Sequence, residues 1–260
     1  MAHIISIVNQ KGGVGKTTTA INLTAYLAAL GKFVLLIDMD PQANATSGLG
    51  IDYNNLEKGV YEALIGSYSL KDVVLNTTIS GYKIAPATLN LAGANVELVN
   101  LENREAKLEQ ALLSVRNDYD YILIDCPPSL GLLTINSLVA AEKILIPVQA
   151  EYYALEGLGQ LIKTINLVQN HIKPNLDILG AVLTMYDKRT KLSEEILHQL
   201  YQYFPNRIFR SVIPRNIRLT ESPSYGKTIL EYDPKSKGAK AYERLAREII
   251  DLTGPTPNLY

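Results

Sequence analysis

The stretch IVNQKGGVGKTTTA, Ile7 to Ala20, decides the fold. An apolar run, HIISIV (His3–Val8), leads into it, and a helical pattern from Thr17 to Leu30, stopped by Gly31, leads out. A strand, a glycine-rich turn and a helix in that order build an anion site. Gly12, Gly13 and Gly15 allow tight curvature, successive backbone N–H groups converge, and the helix start adds the positive end of its dipole. Gly15-Lys16-Thr17 fits the end of the phosphate-loop pattern G-x-x-x-x-G-K-[ST], whereas the first glycine is replaced by Gln10, which makes the loop a variant. In such a loop the amides of Gly12 to Gly15, Val14 included, cradle the phosphates. Lys16 is expected on the β- and γ-phosphates, the Thr17 hydroxyl on Mg²⁺ and the Thr18 hydroxyl on the α-phosphate.

A second lysine, Lys11, stands at the front of the loop. Its side chain is expected to point away from the phosphates its own loop encloses. It is then either a plain surface lysine or a charge lent to a nucleotide held by a second copy of the protein, where it would offset transition-state charge as an arginine finger does.

Further apolar runs read as strands: FVLLID (Phe33–Asp38), YKIAPA (Tyr82–Ala87), YDYILID (Tyr119–Asp125), KILIPV (Lys143–Val148), DILGAVLTM (Asp177–Met185) and NRIFRSVI (Asn206–Ile213). Helical patterns lie at Glu102–Val115, around Gly157–His171, at Leu192–Tyr203 and at Gly238–Asp251. Near-continuous apolar strands alternating with helices imply a mostly parallel sheet covered on both faces. The fold class expected is a single-domain three-layer α/β/α P-loop NTPase, with residues 1–253 as the ATPase domain and 254–260 as a flexible tail. Asp125 ends an apolar strand, where a carboxylate is costly unless it has a task, and it is expected to hold Mg²⁺ through a water. Cys126 beside it reads as a small core residue.

The 260 residues are 47% hydrophobic and 20% charged, the profile of a globular protein with a sizeable core. A lone cysteine makes no internal disulfide and fits a reducing compartment, and MAHIISIVNQ has neither the basic nor the apolar region of a secretory signal, so the expected location is cytoplasmic. The net charge of −1 hides an asymmetry: residues 1–182 carry 12 Lys/Arg against 17 Asp/Glu, and residues 183–260 carry 13 against 9. A basic C-terminal third is what a polyanion partner needs, and chance asymmetry on a solvated surface explains it equally well.

Taken together these motifs resemble the ParA/MinD family of ATPases. KGGVGKTTT resembles its deviant Walker A motif, in which the first lysine is the signature residue. DMDPQANATSGLG (Asp38–Gly50) and IDCPPSLGLLTINSL (Ile124–Leu138) resemble its second motif and its Walker B and switch region. IPVQAEYYALEGL and VIPRNIRLTESPSYGKTILEYDP resemble later segments of its small chromosomal ParA (Soj) members. The resemblance spans residues 3 to about 250. It implies that Asp40 orients the attacking water, although an Asp-Pro pair also simply starts a turn. It implies that Pro214 and Asn216 lie against adenine, Asn216 reading the base edge as donor and acceptor. Met185 and Tyr186 are candidates to pack on the ring, Asp38 to act on Mg²⁺ indirectly, and Glu151 to reach a ribose across a dimer. Among Lys188, Arg189, Lys191, Arg207, Arg210, Arg215, Arg218, Lys227, Lys235, Lys237 and Lys240, it points to Arg189 and Arg218 as DNA contacts.

The function implied is an ATP-dependent switch. ATP joins two subunits through Lys11, the homodimer binds nonspecific double-stranded DNA, and a ParB-type partner stimulates otherwise slow hydrolysis in chromosome or plasmid partitioning. Its place would be the nucleoid. The first strand begins at residue 3, leaving no room for a preceding helix-turn-helix. The alternative, a membrane-surface positioning ATPase of MinD type, needs a basic amphipathic C-terminal helix, whereas here the last helix is used as core and no membrane partner is expected. A redox protein resembling the nitrogenase iron protein needs two cysteines per subunit and fails on one. Nothing beyond the ATP motifs favours a metabolic ligase or synthetase.

Overall fold

The computed structural model describes residues 1–151 and 156–254. Four residues of the IPVQAEYYALEGL segment, and all of the expected tail except Gly254, lie outside the described residues. Seven strands form one sheet: β1 (His3–Ile7), β2 (Val34–Asp38), β3 (Leu75–Asn76), β4 (Tyr82–Ala85), β5 (Tyr121–Asp125), β6 (Lys143–Gln149) and β7 (Asp177–Thr184). Their order is β3-β4-β2-β5-β1-β6-β7, parallel throughout except for β3.

The period of two in each strand divides its side chains between two cores. Ile5, Ile7, Val34, Leu36, Leu123, Leu145 and Val182 face α1 (Lys16–Ala29) and the long C-terminal helix Lys237–Thr253. Ile4, Leu35, Ile37, Ile122, Ile124, Ile144, Ile146 and Leu183 face the opposite layer, which includes the helices Lys107–Leu112, Leu132–Ala140, Glu156–His171 and Lys191–Tyr203. Both faces are buried, hence the unbroken apolar runs. Helix α1 ends as expected: Gly31 has φ 84°, its N–H bonds the Ala28 carbonyl at 2.9 Å and the Lys32 N–H reaches Leu27 at 3.1 Å. This left-handed closure is one that glycine makes without strain.

Three local expectations are corrected. Asn206–Ile213 is not a strand. It touches β7 only through bridges such as Ala181 to Ile208, because the Arg210 and Ser211 amides turn to the Glu248 carboxylate, at 2.7 and 3.0 Å. The helix expected over Glu102–Val115 shrinks to a 3-10 turn at Arg104–Ala106 and a helix at Lys107–Leu112. Leu132–Ala140 is a helix that hydrophobic periodicity did not disclose, since all but two of its nine residues are buried. Among the described residues, no helix is long and apolar enough to cross a membrane.

Candidate active site

The glycine loop lies at the carboxyl end of β1, between β5 and β6, where parallel sheets of this kind hold their ligands. Gly13 and Gly15 have φ of 74° and 87°, a conformation that a side chain would strain. No side chain caps α1, so its first amides are left to face whatever sits in the loop. Asn9 braces the base of the loop: its Oδ1 accepts from the Lys11 amide at 3.0 Å and its Nδ2 donates to the Pro147 carbonyl at 2.7 Å. The Thr184 hydroxyl holds the Val14 carbonyl at 2.7 Å. Gln10, in place of the usual glycine, donates to Gln160 at 2.9 Å and so ties the loop to the helix Glu156–His171.

Gly12, Gly13, Gly15, Lys16, Thr17, Thr18 and Asp40 line a cavity of about 550 Å³. The Lys16 ammonium crosses the loop to the Lys11 carbonyl at 3.2 Å. Burial lowers its pKa, opposed by the charges of Asp125, Cys126 and Asp40. Lys11 is not among the lining residues. Its ammonium stands 3.9 Å from Glu151, which also holds Arg215 at 3.2 Å. As the sequence implied, Lys11 points out of the cavity its own loop encloses, and Glu151 meets it within one chain.

The two strand-end carboxylates differ sharply. Asp38 accepts from the Asp40 amide at 3.1 Å and from the Thr46 amide and hydroxyl at 2.8 and 2.7 Å. Burial raises its pKa to about 6, these bonds opposing. Both its oxygens are occupied, so it acts as a clamp for the following turn. Asp125 is equally buried, yet neither oxygen has a partner at hydrogen-bonding geometry. Burial, reinforced by the Asp38 charge, pushes its pKa well up, while the nearby Thr17 hydroxyl and the Lys16 charge pull it down. An unpartnered buried carboxylate beside a hydroxyl leaves oxygen atoms of the kind that a hydrated cation takes. Asp40 follows the clamp, 5% exposed, with its Oδ1 accepting from the Gln42 amide at 3.0 Å.

A second cavity of about 540 Å³ shares Gly15, Thr18, Met185 and Pro223 with the first and adds Pro214, Arg215 and Asn216. Of the residues expected around a base, Pro214, Asn216 and Met185 line it and Tyr186 does not. Tyr186 bridges Pro214, its amide donating to the Ile213 carbonyl at 3.0 Å. Met185, at φ 52°, lines both cavities. Asn216 Oδ1 accepts from the Arg218 amide at 2.9 Å as the cap of α2 (Ile217–Glu221), so its amide donor is the group it offers to a ligand. Thr46 carried no signal in the sequence, and Lys227, grouped there with the basic surface residues, lines the first cavity instead.

Arg189 and Arg218 lie on the surface, each in an ion pair. Arg189 bonds Asp187 at 2.6 Å, while Arg218 meets Glu221 at 2.9 Å and Asp233 at 3.6 Å. Among the described residues Lys188, Lys191, Lys227, Lys235, Lys237 and Lys240 form no ion pair.

A family model described as an AAA domain matches residues 2–178. The chain is 53% identical over 249 residues to the sporulation initiation inhibitor protein Soj of Bacillus subtilis, covering 96% of this chain and 98% of that one. It is 50% identical over 255 residues to the chromosome partitioning protein ParA of Myxococcus xanthus, covering 98% and 90%. The chain belongs to the Soj/ParA family of chromosome-partitioning proteins. The Soj/ParA architecture extends to proteins of other names. Cobyrinic acid a,c-diamide synthase of Mycobacterium smegmatis, crystallised with ADP and magnesium, is 38% identical with a TM-score of 0.86, covering 96% of this chain and 94% of that one.

Proposed function

We propose that this chain is a partitioning ATPase that works as a nucleotide-dependent dimerisation switch: residues 1–253 form the ATPase domain, ATP with Mg²⁺ occupies the two joined cavities, and 254–260 is a tail. The observation that carries this reading is the division of labour between two lysines of one loop. Lys16 is buried in the cavity, and Lys11 is directed out of it. Held outside its own cavity in a half-exposed 3.9 Å pair with Glu151, that charge is placed where a second copy of the chain could use it.

The roles follow from position. The loop amides and Lys16 bind the phosphates, Thr18 supports the α-phosphate, and Pro214 and Asn216 hold the base. Thr17 directly, and Asp125 through a water, hold Mg²⁺. When bound, Mg²⁺ neutralises charge on the β- and γ-phosphate oxygens. Asp40 orients the attacking water, while Lys16 and the Lys11 of a second copy stabilise the charge that spreads over the γ-phosphoryl oxygens.

The dimer then sums two basic C-terminal thirds into a surface for duplex phosphates, with Arg189 and Arg218 as contacts, and a ParB-type partner stimulates hydrolysis and release. A phosphate-directed surface of this kind binds DNA without reading sequence. The proposed location is cytoplasmic and nucleoid-associated. Relatives at about half identity carry chromosome-partitioning names, which supports this reading over a synthetase.

The test is size-exclusion chromatography of Asp40→Ala with ATP or ADP, with and without DNA. A dimer with ATP alone, and co-elution with DNA only in that state, is the expected result. A monomer under every condition removes the switch. A metabolite-dependent burst of turnover without DNA would favour a synthetase instead.

A further inference from the structure

Two strand ends meet at one hydroxyl. Thr46 is fully buried in the short helical segment Asn44–Gly48. Its Oγ1 donates to Asp38 Oδ2 at 2.7 Å and accepts from the Ala87 N–H, beyond the end of β4, at 3.0 Å. Its own amide gives the same Asp38 oxygen a second donor at 2.8 Å, and the other Asp38 oxygen accepts from the Asp40 N–H at 3.1 Å. The line of contacts runs from Ala87 through Thr46 and Asp38 to the backbone of Asp40. Beyond it the turn closes tightly: the Ala43 N–H returns to the Asp40 carbonyl at 2.8 Å, with Ala43 at φ 51°.

Only a group that donates and accepts at once can sit where Thr46 Oγ1 sits. Valine has nearly the same shape and does neither; serine does both without the methyl. Thr46 lines neither cavity, so its hydroxyl is not itself a nucleotide contact.

We propose that Thr46 is a positioning residue for ATP hydrolysis, holding the Asp38 clamp and through it the direction of Asp40, without touching the nucleotide. This rests on the reading of Asp40 as the residue that orients water. Displacing such a group by about 1 Å costs on the order of a hundredfold in rate, while ground-state binding is untouched.

The experiment measures single-turnover hydrolysis of γ-labelled ATP, and ATP affinity by titration, for the full chain and its Thr46→Val, Thr46→Ala, Thr46→Ser and Asp40→Asn variants. Thr46→Val is expected to slow hydrolysis by about tenfold or more with ATP affinity within about threefold, and Thr46→Ser to stay within about threefold of the parent on both. Thr46→Ala cannot overcrowd the site and decides the matter if Thr46→Val fails to fold. The role of Thr46 is overturned by parent-like hydrolysis in the variants lacking the hydroxyl, by equal slowing in Thr46→Ser, or by loss of affinity in step with rate. Asp40→Asn separates the two levels. Parent-like hydrolysis there overturns the Asp40 reading and the Thr46 role with it, whereas slow Asp40→Asn beside fast Thr46→Val overturns the Thr46 role alone.

Discussion

Asp38 and Asp125 are direct partners in the β2–β5 register, both fully buried, yet Asp38 has three donors and Asp125 has none. The pair divides the strand-end chemistry: one carboxylate shapes the backbone, and its neighbour is kept available.

Removing the unpartnered carboxylate should therefore stabilise the free protein while disabling it. Leaving a buried polar group unsatisfied costs about 1–3 kcal/mol, and more when it is charged. The sign with pH follows from burial. The raised pKa of Asp125 means that the folded state holds its proton more tightly than the unfolded chain does. Its cost to stability is thus absent below the ordinary carboxylate range and grows as pH rises through the raised folded value. In chelator and without nucleotide, Asp125→Asn is expected to melt higher than the parent at neutral pH, with the gap closing toward pH 4. The same variant should lose Mg²⁺-dependent ATP hydrolysis. Thermal melts across pH and a phosphate-release assay check both halves.

Lys11 and Lys16 should separate binding from assembly. The Lys11–Glu151 pair is half-exposed at 3.9 Å, and pairs of that kind contribute about 0–1 kcal/mol. Lys11→Ala is expected to fold as the parent does, to keep ATP affinity within about threefold and to fail to dimerise with ATP. Lys16→Ala should lose ATP affinity and, with it, the dimer. Titration with a fluorescent ATP analogue, followed by size-exclusion on the same samples, distinguishes the two. Lys11→Ala that still dimerises with ATP would contradict the assignment of Lys11 to a partner's site.

The legible part of this molecule was the part written in local pattern. The loop from Asn9 to Thr18, the two-face burial of β1, β2, β5, β6 and β7, and the Gly31 closure each follow from a few neighbouring residues. What resisted reading depends on side chains distant in sequence. Glu248 takes the amides of Arg210 and Ser211 and dissolves the expected strand, and nothing near residue 210 announces that. Thr46 is an ordinary helix residue until Ala87, forty-one positions on, donates to it. Asp38 and Asp125 look alike as ends of apolar strands, and only their partners separate a clamp from a carboxylate left open. Arg189 and Arg218 read as free cations, whereas each meets a carboxylate within three residues of it.

Those pairs set the expected DNA behaviour. Arg189 holds Asp187 well below the usual carboxylate range by direct hydrogen bonding. Each arginine offered to phosphate must therefore share its charge. In the ATP-bound Asp40→Ala protein, Arg189→Ala and Arg218→Ala are each expected to weaken binding to unrelated duplexes equally. Each should also flatten the plot of log affinity against log salt by about 1 for every phosphate no longer neutralised, so by about 2 in a dimer. Asp187→Asn is expected to tighten binding. Fluorescence anisotropy at several salt concentrations reads all three, and an unchanged salt slope in both arginine variants would move the DNA-binding role to the unpaired lysines.

Cys126 supplies a reporter of opening at the site itself. It follows Asp125 directly, is fully buried, and burial pushes its thiol pKa to about 12, so the folded protein presents almost no thiolate near pH 8. Alkylation in the native state then requires opening of the strand end that carries Asp125, and its rate measures the free energy of that opening. Because a ligand that binds only the closed state stabilises it by mass action, saturating ATP with Mg²⁺ should slow the labelling. A concentration of one hundred times the dissociation constant contributes about 2.7 kcal/mol, a slowing of roughly a hundredfold. Mass spectrometry of iodoacetamide-treated samples gives the rates. Labelling at an unprotected-thiol rate in the folded protein would show that the strand end is not closed as described, and labelling indifferent to ATP would place the nucleotide away from Asp125.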